Sequence, residues 1–153
     1  MEEAWAFEHS IECNVPKEFA WHFWTDVCNW KIDADIESVE LNGPFTDGSQ
    51  GVTTTRSAGR IEWRIVGVKA ESEAVLEVPL SGATVRFRWT FQDLNGRTRI
   101  TQRISTEGEK ASSLAEMMAA TFESGVPAGM KTLCESMLKA AAATADAPRP
   151  SER

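Results

Sequence analysis

The sequence predicts an α+β protein in which one antiparallel sheet packs against one long C-terminal helix, and three observations carry this prediction. Residues 37–106 alternate between apolar and polar side chains, which is the period of β-strands. Residues 111–142 carry apolar side chains at helical spacing, and Ser113 and Glu116 stand in capping-box register at their start. Turn residues such as Asn95 and Gly96 separate consecutive strands, which indicates hairpins.

The length and charge of the chain limit the classes of function. At 153 residues the chain suits one domain with one core, and we expect residues 1–143 to form it and residues 144–153 to be a disordered tail. The 16 basic and 23 acidic residues give a net charge of -7, which disfavours phosphate backbones and anionic membranes. No apolar run approaches the ~20 residues that span a bilayer. We therefore expect a soluble cytoplasmic monomer or weak homodimer with no nucleic-acid partner and no membrane insertion.

The cysteine and histidine residues show no pattern of a metal or catalytic centre. Cys13, Cys28 and Cys134 are odd in number, far apart and without zinc-like spacing, which predicts reduced thiols in a cytoplasmic protein. The chain has no phosphate-binding glycine loop, dinucleotide fingerprint or nucleophile-elbow motif. We expect no metal and no cofactor.

The elements before the long helix can be placed in order. A first strand is predicted at residues 4–13, and Pro16 and Thr25-Asp26 mark the starts of two short helices, with Asp26 as a cap. The aromatic load of these helices suits a plug at one end of a curved sheet. Six further strands are predicted at residues 36–42, 51–58, 60–68, 74–80, 83–91 and 97–105.

The long helix has an interruption at residues 124–129. Pro127 removes one helical hydrogen bond, and the flanking glycines loosen the turn. This predicts a kink near Pro127 that separates residues 111–123 from residues 127–142. The first piece could act as a flap over a cavity mouth, and the alternative is a static kink that follows the curvature of the sheet.

One strand, two short helices, six antiparallel strands and a long C-terminal helix is the order of the helix-grip fold. The chain also resembles the SRPBCC superfamily, which includes START-like domains, polyketide cyclases and the birch-pollen-allergen type. The matching pieces are Val15-Pro16-Lys17-Glu18-Phe19-Ala20-Trp21, Asp26 with Trp30, Gly48 with Gly51, and the Asn95 to Thr101 turn and strand. The resemblance covers about residues 4–142. It implies a hydrophobic cavity between sheet and helix that binds lipids, polyketides, steroids or similar molecules, although one fold hosts many functions.

We expect the wall of this cavity to include the alternate strand positions that are mostly apolar. It should also include the methionines of the long helix, whose flexible thioethers suit a variable apolar ligand. For each of these apolar residues, ordinary core packing is the alternative. The candidate cavity residues are Phe7, His9, Arg56, Trp63, Phe87, Trp89, Gln102, Met117, Met118, Phe122 and Met130.

Three polar residues stand in the predicted inward parity, namely His9, Arg56 and Gln102. Buried polar groups need partners, so these residues are candidates for orienting a ligand. Arg56 could hold a carboxylate, phosphate or enolate oxygen, and His9 could donate, accept or titrate, which makes these two the weak candidates for catalysis. The alternatives are a core hydrogen bond for His9, a strand-to-helix tie for Gln102 and an ion pair near the rim for Arg56.

A set of arginines takes the outward parity, and it could meet an acidic partner. The alternative is a solvated face that pairs with residues such as Glu62 and Glu77. The arginines are Arg64, Arg86, Arg88, Arg99 and Arg103.

Three functions follow from these patterns. The first is non-covalent binding or carriage of a hydrophobic small molecule between the sheet and the long helix. The second is a cyclase or dehydratase that uses acid-base chemistry without covalent catalysis. The third is a co-chaperone-like interaction module that uses the arginine face and has a filled interior.

Overall fold

A computed structural model describes residues 3–146 of the chain. It contains one seven-stranded antiparallel sheet, two short helices after the first strand and one long C-terminal helix, which confirms the predicted fold. The strands are β1 (Glu3–Cys13), β2 (Ile36–Asn42), β3 (Gln50–Thr55), β4 (Gly59–Lys69), β5 (Glu73–Leu80), β6 (Ala83–Leu94) and β7 (Arg97–Glu107). The helices are α1 (Lys17–Thr25), a 3₁₀ helix (Val27–Ile32) and α2 (Ala111–Asp146).

The sheet has the strand order β1-β7-β6-β5-β4-β3-β2, so β1 and β2 are its two edges. Its inner face packs against α1 and α2, and its outer face carries the charged residues. The alternation is sharpest on β7, where Ile100 and Ile104 are fully buried and Arg97 is exposed. Alternation of apolar and polar side chains therefore assigns the two faces, as predicted from the sequence.

The two short helices close one end of the inner face with aromatic rings. The ring centroid of Trp24 lies 5.0 Å from that of Trp89, and Trp30 lies 5.2 Å from Trp63. Trp30 Nε1 donates a hydrogen bond of 2.7 Å to the Trp24 carbonyl, which satisfies its polar group inside the cluster. Asp26 caps the 3₁₀ helix by accepting from the Cys28 amide at 3.2 Å, as predicted.

The helix α2 packs mainly on β1 and also contacts β7. Its buried residues are spaced by three, four, seven or eight positions, so they form one stripe: Ala111, Met118, Val126, Met130, Leu133 and Met137. The helix is continuous with Pro127 inside it, so the structure does not divide it into two separate pieces. It runs to Asp146, past residue 144, where we predicted a disordered tail to begin, and residues 147–153 lie outside the described part.

The prediction of three reduced thiols is wrong for two of the cysteines. Cys13 at the end of β1 and Cys134 on α2 form a disulfide, with their Cα atoms 5.6 Å apart, and Cys28 is free and exposed. Sequence spacing did not indicate this pair because 121 positions separate its members. The bond ties the C-terminal half of α2 to the edge strand of the sheet.

None of the helices within residues 3–146 has the length and apolar character needed to cross a membrane.

Candidate functional site

The inner face of β1, β7 and β6 is built from rows of side chains that the strand register aligns. The central row contains His9, Gln102 and Trp89, because Gln102 stands opposite His9 on one side and opposite Trp89 on the other. The rows on either side are fully apolar: Phe7, Ile104 and Phe87 form one, and Ile11, Ile100 and Phe91 form the other. Two polar side chains therefore interrupt an otherwise apolar surface.

The aromatic side chains on this surface are only partly covered. Phe87 and Trp89 are half-buried, whereas Phe91, in the row under α1, is 3% exposed. The Phe87 ring meets Phe122 of α2 at a centroid distance of 5.8 Å. Because α2 lies over β1 and β7, the inner side of β6 stays partly accessible between α2 and the aromatic plug.

His9 and Gln102 have no hydrogen-bond partner for their side chains within residues 3–146. Gln102 is 9% exposed, and His9 is half-buried. By contrast, the hydroxyl of buried Thr98 on the same strand donates to the Val15 carbonyl at 2.8 Å. The amide atoms of Gln102 still have contact with solvent, because among residues 3–146 the fully buried side-chain atom without a partner is Thr106 Oγ1. Gln102 therefore presents an amide on this surface that a bound molecule can reach.

Three of the candidate cavity residues belong to the packed core, namely Trp63, Met118 and Met130. Trp63 is 5% exposed, and its Nε1 donates to Thr53 Oγ1 at 2.9 Å. Gly51 provides the space for this ring, since a Cβ atom there would lie 2.2 Å from Trp63 Cζ2. Met118 and Met130 are 8% and 1% exposed within the core cluster.

Two predicted cavity residues are placed elsewhere by the structure. Met117 is 52% exposed, because it lies about 100° around the helix from buried Met118 and points away from the sheet. Arg56 lies in the turn after β3, and its side chain is 67% exposed. Its Nε donates to the Ala34 carbonyl at 3.0 Å, and its guanidinium lies 4.0 Å from Glu37.

The inward placement of Arg56 was wrong because the parity of β3 was wrong. The buried residues of β3 are Gly51 and Thr53, which stand on the Trp63 side, so Val52 points outward. Because β3 contains consecutive threonines, its sequence does not show which residues face inward. The two candidates for catalysis, His9 and Arg56, are therefore not brought together.

The outer face contains the predicted arginine cluster, and ion pairs join its arginines to acidic residues. Glu77 is 8% exposed and accepts hydrogen bonds from Arg64 at 3.0 Å and Arg86 at 2.6 Å. Arg86 also contacts Glu107 at 2.8 Å. Burial pushes the pKa of Glu77 upward, but the bonds from Arg86 and Arg64 outweigh it and hold this pKa below its ordinary value of 4.5.

Smaller ion pairs cover the rest of the outer face. Arg88 pairs with Glu73, Arg97 and Arg99 pair with Glu12, and Arg60 rather than an arginine of the cluster pairs with Glu62. This face is therefore electrostatically satisfied, which favours the solvated alternative over an acidic partner.

Two open depressions lie on the outside of the molecule. One of about 510 Å³ crosses the outer face of β2 to β5, between Glu40, Val52, Glu62 and Pro79. The other, of about 430 Å³, lies near Leu80 and Glu109. Neither of these two depressions opens between the sheet and α2.

The sequence analysis missed one polar group of the interior. Thr106 on β7 is fully buried, and its Oγ1 has no partner within the described residues. The sequence signal was present, because Thr106 shares the inward parity of Ile100, Gln102 and Ile104. Among residues 3–146, no group of three or more His, Cys, Asp or Glu side chains could hold a metal ion.

The fold and the inner face define the class of this protein as a helix-grip domain. Its residues 4–143 match the family described as polyketide cyclase / dehydrase and lipid transport. The chain belongs to this family. No curated protein matches the chain.

Several solved structures share the fold at low sequence identity. An aromatase/cyclase from Streptomyces sp. R1128 is 14% identical with a TM-score of 0.74, and the match covers 88% of this chain and 93% of that chain. Ara h 8.0201 is 14% identical with a TM-score of 0.72, covering 88% and 97%. Norcoclaurine synthase from Thalictrum flavum, in complex with dopamine and hydroxybenzaldehyde, is 11% identical with a TM-score of 0.68, covering 88% and 86%.

Proposed function

We propose that this protein binds an apolar small molecule, without covalent chemistry, in the groove between α2 and the inner face of β6. The observation that carries the proposal is the partial exposure of Phe87 and Trp89 on β6, where other inward residues are buried, namely Ala83, Val85 and Phe91. Apolar rings in such a position lose contact with water when a ligand covers them, at about 25 cal/mol per Å² of apolar area.

The family membership supports this proposal, because lipid transport stands in the family description. The norcoclaurine synthase structure holds two small aromatic molecules on the same fold. The cyclase alternative has less support from the geometry, because it requires several catalytic groups at one point. Of the two candidates for catalysis, His9 lies on the inner face, and Arg56 lies in an exposed turn.

The proposal includes a monomer or weak homodimer that does not bind nucleic acid. The net charge of -7 supports the last part, because phosphate backbones repel an acidic protein. Disulfides are rare in the cytosol, so the Cys13–Cys134 bond argues for an oxidising compartment instead. Thiol titration of freshly lysed cells decides between the cytoplasm and an oxidising compartment, since a cytoplasmic protein would present three free thiols.

Binding can be tested with N-phenyl-1-naphthylamine, an uncharged dye that fluoresces in apolar surroundings. We expect saturable binding with one dye per chain. Phe87→Ala removes part of the proposed wall and should weaken binding about tenfold, given that burying one such side chain is worth about 1.5–3 kcal/mol.

Leu138→Ala provides the matched control, because Leu138 is also apolar and is 40% exposed on α2. It should bind the dye like the wild type. No saturable binding, or equal weakening by the two variants, would contradict the proposed groove.

A further inference from the structure

We propose that Gln102 and His9 form a hydrogen-bonding subsite in this groove, and that the subsite takes an uncharged oxygen, a phenol or a ketone, at the edge of a planar apolar ligand. This inference rests on the proposed function and specifies the ligand class. It begins with position, because Gln102 and His9 stand directly opposite each other on β7 and β1. Residues so paired have Cβ atoms about 4.5–5.5 Å apart, close enough for one ligand atom to reach both side chains.

The second step is the missing partner. Gln102 is 9% exposed and its amide, with two donor hydrogens and one acceptor oxygen, has no side-chain hydrogen bond within the part of the chain that the structure describes. The neighbouring rows contain only apolar side chains, so no neighbour in these rows can satisfy this amide. The amide atoms keep contact with solvent, so a ligand oxygen that accepts from the amide would take the place of a water molecule.

The third step is the shape of the ligand. Trp89 stands opposite Gln102 on its other side, and the Trp24 ring packs against the Trp89 ring at a centroid distance of 5.0 Å. Trp24 itself is 4% exposed, so the pair of rings is fixed in the aromatic plug. A rigid aromatic surface next to one hydrogen-bonding group suits a flat molecule that carries an oxygen at its edge.

The fourth step excludes an anionic group at this point. The strand register places the arginines of β4, β6 and β7 on the outer face, where Arg64 and Arg86 surround Glu77. Arg56, the remaining candidate for holding a carboxylate, lies in the exposed turn after β3. A carboxylate beside Gln102 would lose its hydration without gaining a guanidinium partner, so the subsite disfavours fatty acids and other anions.

Three probes of equal shape test this inference: 2-naphthol, 2-methylnaphthalene and 2-naphthoate, with binding measured by calorimetry. In the wild type, 2-naphthol should bind about three to ten times more tightly than 2-methylnaphthalene, as expected for one net hydrogen bond. The charged 2-naphthoate should bind at least about tenfold more weakly than 2-naphthol.

In Gln102→Met, which keeps the length of the side chain and removes its amide, the ratio of 2-naphthol to 2-methylnaphthalene affinity should fall to about one, with 2-methylnaphthalene bound at least as tightly as before. His9→Leu should lower the same ratio. Gln92→Met, the same substitution on an exposed residue of β6, should leave it unchanged.

The outcomes separate the two proposals. If both neutral probes bind equally to the wild type and Gln102→Met has no effect, the subsite is refuted while the binding groove stands. If no probe binds, both proposals fall. Should Gln102→Met fail to fold, the side-chain amide resonance of Gln102 in the wild type decides, because 2-naphthol should shift it much further than 2-methylnaphthalene, and equal shifts would refute the subsite.

Discussion

The two faces of the sheet treat their polar residues in opposite ways. On the outer face, buried Glu77 has two arginine partners, and one of these, Arg86, is shared with Glu107. On the inner face, Gln102 is buried to a similar degree and its amide has no partner within the described residues. On the outer face, ion pairs with arginines thus compensate for the burial of the Glu77 carboxylate. The Gln102 amide has no protein partner within residues 3–146 but keeps contact with solvent, so it is available to a second molecule that binds on the inner face.

The largest change in stability is expected when the link that holds α2 over the inner face is removed. Replacing both Cys13 and Cys134 by alanine removes the link between β1 and the C-terminal half of α2. The free energy of unfolding should fall by about 2–4 kcal/mol, because the unfolded chain loses a long-range constraint. Urea unfolding under oxidising conditions measures this, with Cys28→Ala as an exposed control that should have no effect. A double variant as stable as the wild type would show that packing alone holds the helix.

A second change tests how tightly the wall of the inner face is packed. Gly51→Ala should lower the free energy of unfolding by about 1–3 kcal/mol, because the added methyl group collides with the Trp63 ring. That ring cannot move away without losing its hydrogen bond to Thr53. Gly67→Ala on the neighbouring strand is the control, since a Cβ there has no neighbour within 4 Å. Equal stability of the two variants would mean that the inner wall is loose.

A third change breaks the satisfied network of the outer face. Glu77→Gln should lower the free energy of unfolding by about 1–2 kcal/mol at neutral pH, because Arg86 and Arg64 lose a charged acceptor and Arg64 is partly solvated. The pKa of Glu77 is lower in the folded state than its ordinary value of 4.5. Its contribution is therefore complete above that value and is lost as the pH falls through the folded-state pKa.

The stability difference between wild type and Glu77→Gln should thus shrink on acidification. Urea unfolding at about pH 7 and about pH 3 measures this change. A difference that stays constant or grows with acid would contradict the ion-pair account of the outer face.

The smallest effect has the opposite sign and applies to the inner face. Without ligand, Gln102→Met should raise the free energy of unfolding by about 0.5–1 kcal/mol, because an unpartnered amide is replaced by an apolar group of similar length. The matched substitution Gln92→Met on the exposed surface should change stability by less than about 0.5 kcal/mol. A clear loss of stability in Gln102→Met would indicate that the amide is already satisfied in the free protein.

The sequence predicted the sheet and its faces wherever alternation was strong. On β6 and β7, arginines alternate with large apolar residues, so one parity choice places Phe87, Trp89 and Gln102 correctly. On β3, successive threonines give no contrast between the faces, and the parity error there moved Arg56 to the wrong side. Period-two patterns thus assign side chains only when the two faces differ in polarity.

Contacts between distant segments could not be predicted from the sequence. The Cys13–Cys134 bond joins a strand end to a helix 121 positions later, and no local pattern records that distance. The same holds for the exposure of Met117, which depends on how α2 is rotated about its axis on the sheet. Helical spacing predicted that α2 has an apolar stripe facing the sheet. It did not show which of the adjacent residues Met117 and Met118 lies in that stripe.

The central claim, that the inner face holds an uncharged, oxygen-bearing apolar ligand beside Gln102, is tested most directly by native mass spectrometry of the protein purified from its own host. The account predicts a bound molecule that, after extraction, proves to be neutral, planar and equipped with a phenol or ketone oxygen. A fatty acid or phospholipid in its place, or a protein that emerges empty and takes up nothing from an extract of its host, would contradict it.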